Sequence, residues 1–123
     1  MKIKKIKIQD TTLRDEEQTP GIAFKLQDKL KVFKILEQIG VDIIEAGFPA
    51  ASLEEENIIR SLCNKLKREH TTVCVFSRAL EKDILIANEV TKRVKNSKIQ
   101  IVVPVSDLQI QYSIISLWIR SLT

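Results

Sequence analysis

The stretch of residues 40–50, Gly40-Val41-Asp42-Ile43-Ile44-Glu45-Ala46-Gly47-Phe48-Pro49-Ala50, decides the fold class of this chain. Residues 41–46 form a short β-branched run that predicts a strand, and a Gly and a Pro close it. A segment of helical period comes before this strand and ends where a glycine would cap a helix. Its apolar positions recur every three or four residues, at Leu26, Leu30, Phe33 and Leu36.

The same alternation of strand and helix extends in both directions from this stretch. Strands are predicted at residues 2–8, 71–76 and 99–105, with Ile6 and Ile8 on one face of the first. Helices are predicted after Ser52, which is a plausible N-cap, and over residues 80–94. The repeat is about 30 residues long, which is the length of a βαβ unit. The sequence therefore predicts an α/β fold with a parallel sheet and right-handed crossovers.

Composition places the chain in the globular class. Its 123 residues are 44% hydrophobic and 29% charged, with three Gly and three Pro, which excludes disordered and collagen-like chains. No apolar run approaches the ~18 residues of a membrane span, and the basic N-terminus lacks the apolar block of a signal peptide. We expect a single domain in the cytoplasm, with no membrane partner.

Net charge and cysteines add further expectations. The net charge is +4, but the dense basic run at residues 2–7 contains no aromatic residue, so we expect a solvated strand face and no nucleic-acid partner. Cys63 and Cys74 each lie inside an apolar segment and are predicted to be reduced core thiols. His70, the only histidine, is predicted to lie in a surface loop. A further amphipathic helix is predicted in the tail, through Ile110, Ile114, Leu117 and Trp118.

The motif that carries chemistry is residues 10–21, DTTLRDEEQTPG, directly after the first predicted strand. In parallel α/β folds the carboxyl ends of the strands face the active site. Arg14 supplies a fixed cation that can hold a carboxylate or a developing enolate, and Asp15 supplies an oxygen ligand for a divalent cation. A local ion pair in a solvated loop is the alternative, and the residues alone leave both interpretations open.

This motif resembles the signature of the metal-dependent enzymes that condense an acyl-CoA with a 2-oxo acid: the 2-isopropylmalate, homocitrate and citramalate synthases. The resemblance continues through residues 40–50 and the FSRA of residues 76–79, then fades over 102–112. The PVSD segment at residues 104–107 and the TPG at residues 19–21 favour the homocitrate synthase branch. The resemblance implies that the chain is the N-terminal half of a (β/α)8 barrel. It would hold about four βα units within residues 1–123, followed by an atypical tail at 107–123.

The resemblance also implies roles for individual residues. Asp15 would bind a divalent metal (Mg, Mn or Zn), Arg14 would contact the 2-oxo acid and the enolate of acetyl-CoA, and Gln18 would lie near the substrate. Gln100 stands where many members carry a substrate-site His, and it can still donate a hydrogen bond to a carbonyl. Glu45 would either orient the Arg14 loop or pair with a basic residue inside the barrel.

Departures from the family pattern limit these expectations. Glu16 replaces a Gly of the motif, and the later His-x-His metal ligands have no counterpart in this chain, so its ligand set is incomplete. We therefore expect the isolated chain to be inactive, although the family is one of acyltransferases. The alternatives are a catalytically inactive truncated gene product, or a fragment of a related acyl-CoA lyase or carboxyltransferase. Open strand edges of a half-barrel would favour self-association.

Overall fold

Four parallel strands lie side by side in chain order in the computed structural model, which describes residues 3–15, 20–21 and 24–112. The strands pair β1 to β2, β2 to β3 and β3 to β4, all parallel. In chain order the elements are β1 (Gln9–Asp10), α1 (Thr12–Asp15), α2 (Leu26–Ile39), β2 (Ile43–Gly47), α3 (Leu53–Lys65), β3 (Thr72–Arg78), α4 (Glu81–Thr91), β4 (Ser97–Val102) and α5 (Asp107–Tyr112). A 3-10 turn, Pro49–Ala51, precedes α3.

Two helix ends follow the local signals in the sequence. Gly40 ends α2 in the left-handed backbone conformation, with φ +82°, which residues other than glycine rarely adopt. Ser52 begins α3, and its hydroxyl accepts a hydrogen bond from the Glu55 amide at 3.1 Å. No side chain caps the start of α2 at Lys25, although Asp28 accepts a hydrogen bond from the Lys25 amide at 3.3 Å.

The core lies between one face of the sheet and the helices. Strand residues Ile44, Val73 and Val75 are fully buried against α2, α3 and α4. Their helical partners are buried apolar residues, Phe33, Leu36, Ile58, Ile59, Leu62, Ala87 and Val90. Because side chains alternate along a strand, Glu45, Cys74 and Phe76 fall on the opposite face. That second face carries the polar groups.

The first strand is not where the sequence predicts it. Residues 3–8 have no regular secondary structure, and β1 is confined to Gln9–Asp10. The physical reason is the lack of a partner, because β2 begins only at Ile43, opposite Gln9. The Asp42 carboxylate accepts the Ile8 amide at 2.8 Å in place of a ladder carbonyl. Ile6 and Ile8 are therefore exposed, and the prediction of a strand with these isoleucines on one face is wrong.

Other elements shift by a few residues. Strand β4 ends at Val102, before Pro104, so the prediction of a strand to residue 105 is too long. The predicted loop after the first strand contains a helical turn, α1. The tail helix is α5 as far as Tyr112, and the rest of its predicted stripe lies outside the described residues. No helix in the described part of the chain is both long and apolar enough to cross a bilayer.

Candidate active site

Glu45 is the centre of the polar face. It lies in the middle of β2, where its side chain is 0% exposed. A carboxylate that is buried away from solvent needs hydrogen-bond donors and a positive charge nearby. Arg14 donates its Nε–H to Oε1 of Glu45, and Gln9 donates its side-chain amide to Oε2 at 3.2 Å. The buried carboxylate therefore joins the first strand to the helical turn that follows it.

Arg14 is held on three sides. Its Nε–H meets Glu45, its Nη1 lies 2.7 Å from Oδ1 of Asp15, and its guanidinium stacks over the Phe76 ring at 5.4 Å. The turn that carries it is anchored by Leu13, which is fully buried. The side chain of Arg14 is 18% exposed and that of Asp15 is 48% exposed, so the pair opens to solvent at one end. An arginine fixed in this way can receive an anion without reorganising.

Gln9 and Gln100 extend the network to the far strand. The Gln9 side-chain nitrogen also donates to Oε1 of Gln100 at 3.2 Å, and the Lys98 ammonium donates to Oε1 of Gln9 at 3.4 Å. The Cys74 thiol lies 3.9 Å from the same Gln100 oxygen. Burial raises the pKa of the Cys74 thiol, and the negative charge of Glu45 raises it further, so this cysteine stays protonated and is a poor nucleophile.

A second arginine stands at the end of β3. Arg78 lies over the Phe48 ring at 5.5 Å, and Phe48 meets Phe76 edge to face with the ring centres 5.0 Å apart. Asp83, at the start of α4, accepts hydrogen bonds from Arg78 at 2.6 and 3.2 Å. These hydrogen bonds raise the pKa of Arg78, which therefore keeps its charge at any physiological pH. The two phenylalanines thus lie between two guanidinium groups.

The predicted site residues separate into two groups. The structure brings together Arg14, Asp15, Glu45 and Gln100 on one face, and it makes Glu45 a direct partner of Arg14. Both interpretations of Glu45, orienting the Arg14 loop and pairing with a basic residue, require this contact with Arg14. Gln18 lies outside the described residues.

Some residues of this face were not singled out from the sequence. Gln9 carries no charge or motif signal in the sequence, although it directly precedes Asp10, the first residue of the motif. His70 is exposed in the loop between α3 and β3, as predicted. Cys63 and Cys74 are both free thiols, which agrees with the expectation of reduced cysteines.

The described residues of this face supply only part of a ligand set for a divalent cation. Asp15 has an exposed carboxylate, which is a suitable ligand for a hard cation. Within residues 3–15, 20–21 and 24–112, however, no three His, Cys, Asp or Glu side chains cluster closely enough to hold a metal. One carboxylate, already paired with Arg14, does not fix such an ion, so these residues alone do not fit a resident metal.

Comparison with known proteins decides the family. Residues 5–117 match the HMGL-like family. The chain belongs to that family. The HMGL-like domain is a TIM barrel, and the four parallel strands in sequential order, with helices on one face, are part of such a barrel.

Relatives of this HMGL-like chain include named enzymes. A 2-isopropylmalate synthase 1 of Caldanaerobacter subterraneus subsp. tengcongensis is 38% identical over 114 residues, 93% of this chain and 28% of the relative. A 2-isopropylmalate synthase of Campylobacter jejuni subsp. doylei is 43% identical over 111 residues, 90% of this chain and 21% of the relative. The chain thus spans about a fifth to just over a quarter of these synthases. Their names do not support the preference for the homocitrate synthase branch, which stays a prediction.

Proposed function

We propose that this chain carries the arginine part of the active site of an acyltransferase that condenses acetyl-CoA with a 2-oxo acid. The observation that carries the proposal is the geometry of Arg14, which is held by a buried carboxylate and stacked on Phe76 while part of it faces solvent. The match to 2-isopropylmalate synthases supports this reaction class, with 2-oxoisovalerate as the first substrate to test. Homocitrate and citramalate synthase activities, with 2-oxoglutarate and pyruvate, are the finer alternatives.

The reaction sets the role of each group. A base removes a proton from the acetyl methyl group, and the resulting enolate carbon bonds to the keto carbon of the 2-oxo acid. The keto oxygen takes up a proton, and water then cleaves the thioester to give a carboxylate and free CoA thiol. Arg14 would hold the 2-oxo-acid carboxylate and stabilise the negative oxygen that forms. The Gln100 amide would donate to a substrate carbonyl, and Gln18 would bind nearby.

A metal at Asp15 remains part of the family expectation, but no step of this proposal runs through it. We also propose a cytoplasmic location, which the free thiols Cys63 and Cys74 support. Because the chain spans so little of its relatives, we expect it to bind a 2-oxo acid but not to complete the condensation by itself.

Calorimetric titration tests the binding half of the proposal. The wild type, R14Q and R60Q are each titrated with 2-oxoisovalerate, 2-oxoglutarate and pyruvate. Arg60 is the matched control, because it pairs with Glu56 at 2.9 Å within α3, on the helical side of the sheet and away from the polar face. Loss of one charged hydrogen-bond donor should weaken binding by about 10- to 100-fold in R14Q and leave R60Q unchanged. Equal affinities in R14Q and the wild type, or no binding by the wild type, would refute the proposed site.

Release of free CoA thiol from acetyl-CoA, followed with each of the three acids, tests the expectation of inactivity. Clear turnover would overturn that expectation. Absence of both turnover and binding would favour the alternative of a catalytically inactive product.

A second proposal concerns self-association. Aliphatic side chains are exposed at Ile3 and Ile6, which precede β1 in the chain, and at Ile101 and Val102 in β4. Unpaired strand edges that expose such residues favour pairing with another chain. We expect light scattering after size exclusion to show mass rising with concentration. A monomer at all concentrations would contradict this.

A further inference from the structure

We infer that Gln9 is a positioning residue that fixes Arg14 through the buried carboxylate of Glu45. The inference concerns how the proposed site is built, and its substrate readout rests on the proposed function. The observation that carries it is that Glu45 receives two side-chain donors from outside its own strand. Arg14 reaches Oε1 and Gln9 reaches Oε2, so each donor restricts the rotation of the carboxylate that the other one uses.

The chemistry of the Gln9 amide matches its three neighbours. Its nitrogen donates to Glu45 and to Gln100, each at 3.2 Å, and its oxygen accepts from Lys98 at 3.4 Å. A glutamine amide has two N–H donors and one acceptor oxygen, so one side chain serves all three contacts. A methionine of similar length would serve none of them, and a glutamate would keep only the acceptor.

The neutrality of Gln9 matters as much as its hydrogen bonds. A cation at this position would compete with Arg14 for the Glu45 charge and loosen the arginine. An anion would repel Glu45, since two carboxylates in contact cannot both stay ionised without cost. The amide stabilises the charge of Glu45 without neutralising it, and so leaves the ion pair to Arg14.

A purely structural role would look different. Gln9 also joins β1 to Gln100 on β4, and a residue that only clamped these strands would affect global stability without affecting Arg14 selectively. The Arg14 Nε–H is the signature that separates the two roles. It points into a buried carboxylate, so its hydrogen exchange with water should be slow, and the rate reports how firmly Glu45 holds it.

The experiment measures exchange of the Arg14 Nε–H by nitrogen-15 NMR of the whole chain, with the resonance assigned by its absence in R14K. The variants are Q9M and Q9E, and the matched control is Q27M, because Gln27 is an exposed residue of α2. We expect exchange about tenfold or more faster in Q9M, and unchanged in Q27M. An unchanged rate in folded Q9M would overturn the inference.

The variant Q9E adds a pH profile and keeps the test open should Q9M fail to fold. The charged groups facing position 9 are Glu45, Lys98 and Arg14. Above the pKa of the new carboxyl group, Q9E has two like charges together, and exchange should be fast relative to the wild type at the same pH. As the pH falls, one proton shared by the two carboxyl groups restores a donor to Glu45, and the ratio should return toward one. A ratio independent of pH would contradict the inference.

Titration with the 2-oxo acid separates this inference from the proposed function. Faster exchange and at least tenfold weaker binding in Q9M support both. Faster exchange in a chain whose wild type binds no 2-oxo acid supports the positioning role and refutes the proposed function. Binding that depends on Arg14 but not on Gln9, with unchanged exchange, refutes the positioning role alone.

Discussion

Replacing Lys29 by methionine should destabilise the chain by about 3–5 kcal/mol, the range expected when one partner of a buried ion pair is removed. Lys29 is fully buried in α2, and its ammonium lies 2.9 and 2.7 Å from the two carboxylate oxygens of Glu55 in α3. The Glu55 side chain is only 11% exposed, so the carboxylate cannot simply turn to water. Methionine keeps the length and helix propensity of the lysine stem, which isolates the loss of the charge.

Urea unfolding followed by far-UV circular dichroism measures this loss. The control is R60M, which breaks the partly exposed ion pair with Glu56 and a long hydrogen bond to the Glu89 carbonyl oxygen, and it should cost about 1 kcal/mol or less. The double variant K29M/E55M should recover at least about 1 kcal/mol relative to K29M, because it no longer buries a lone carboxylate. The reasoning fails if K29M costs no more than R60M, or if the double variant shows only the sum of its single losses.

Three further predictions concern burial and charge elsewhere. Burial raises the pKa of Cys63 from 9.0 to about 11, so alkylation of its thiol at pH 8 should be about 100-fold slower than alkylation of an exposed thiol. The contribution of the neutral thiol to the free energy of unfolding should be lost as the pH rises from about 9 to 11. An alkylation rate equal to that of a free thiol would contradict this. G47A should lower the free energy of unfolding, measured in urea, by more than about 1 kcal/mol, because φ of Gly47 is +147° and a Cβ there would clash with the Glu55 side chain. An unchanged midpoint of urea unfolding would be evidence against this. D83N should lower the free energy of unfolding by about 1–2 kcal/mol, because it weakens the hydrogen bonds to Arg78 and removes a negative charge from the first turn of α4. A urea unfolding curve identical to that of the wild type would contradict that reasoning.

Local signals explain which elements could be predicted. Gly40 and Ser52 act within one turn of the backbone, so the end of α2 and the start of α3 followed from single residues. The parallel order of the sheet followed from the repeat of strand and helix, which needs no knowledge of side-chain contacts.

The prediction of the first strand was wrong for a reason that lies outside the sequence of that segment. Residues 3–8 have a good strand pattern, but a strand forms only where another strand offers a ladder, and β2 offers none before Ile43. The partners of Lys29 and Gln9 were equally invisible. Lys29 and Glu55 are 26 residues apart, and Gln9 and Gln100 are 91 apart, and no periodicity reports such pairings.

Glu45 shows how a sequence can still locate a site when it cannot show its geometry. The strand Ile43–Gly47 is apolar apart from one carboxylate, and a charge in a buried strand is stable only with a partner brought by another element. The motif next to β1 contains an arginine, and the parallel order places β1 beside β2, so the topology brings Arg14 within reach of Glu45. What the sequence could not supply was the second donor, Gln9. A neutral amide carries no charge pattern, and its role depends on the distance to one oxygen of Glu45. The orientation of the proposed catalytic arginine thus rests on a residue whose chemistry only the folded sheet makes visible.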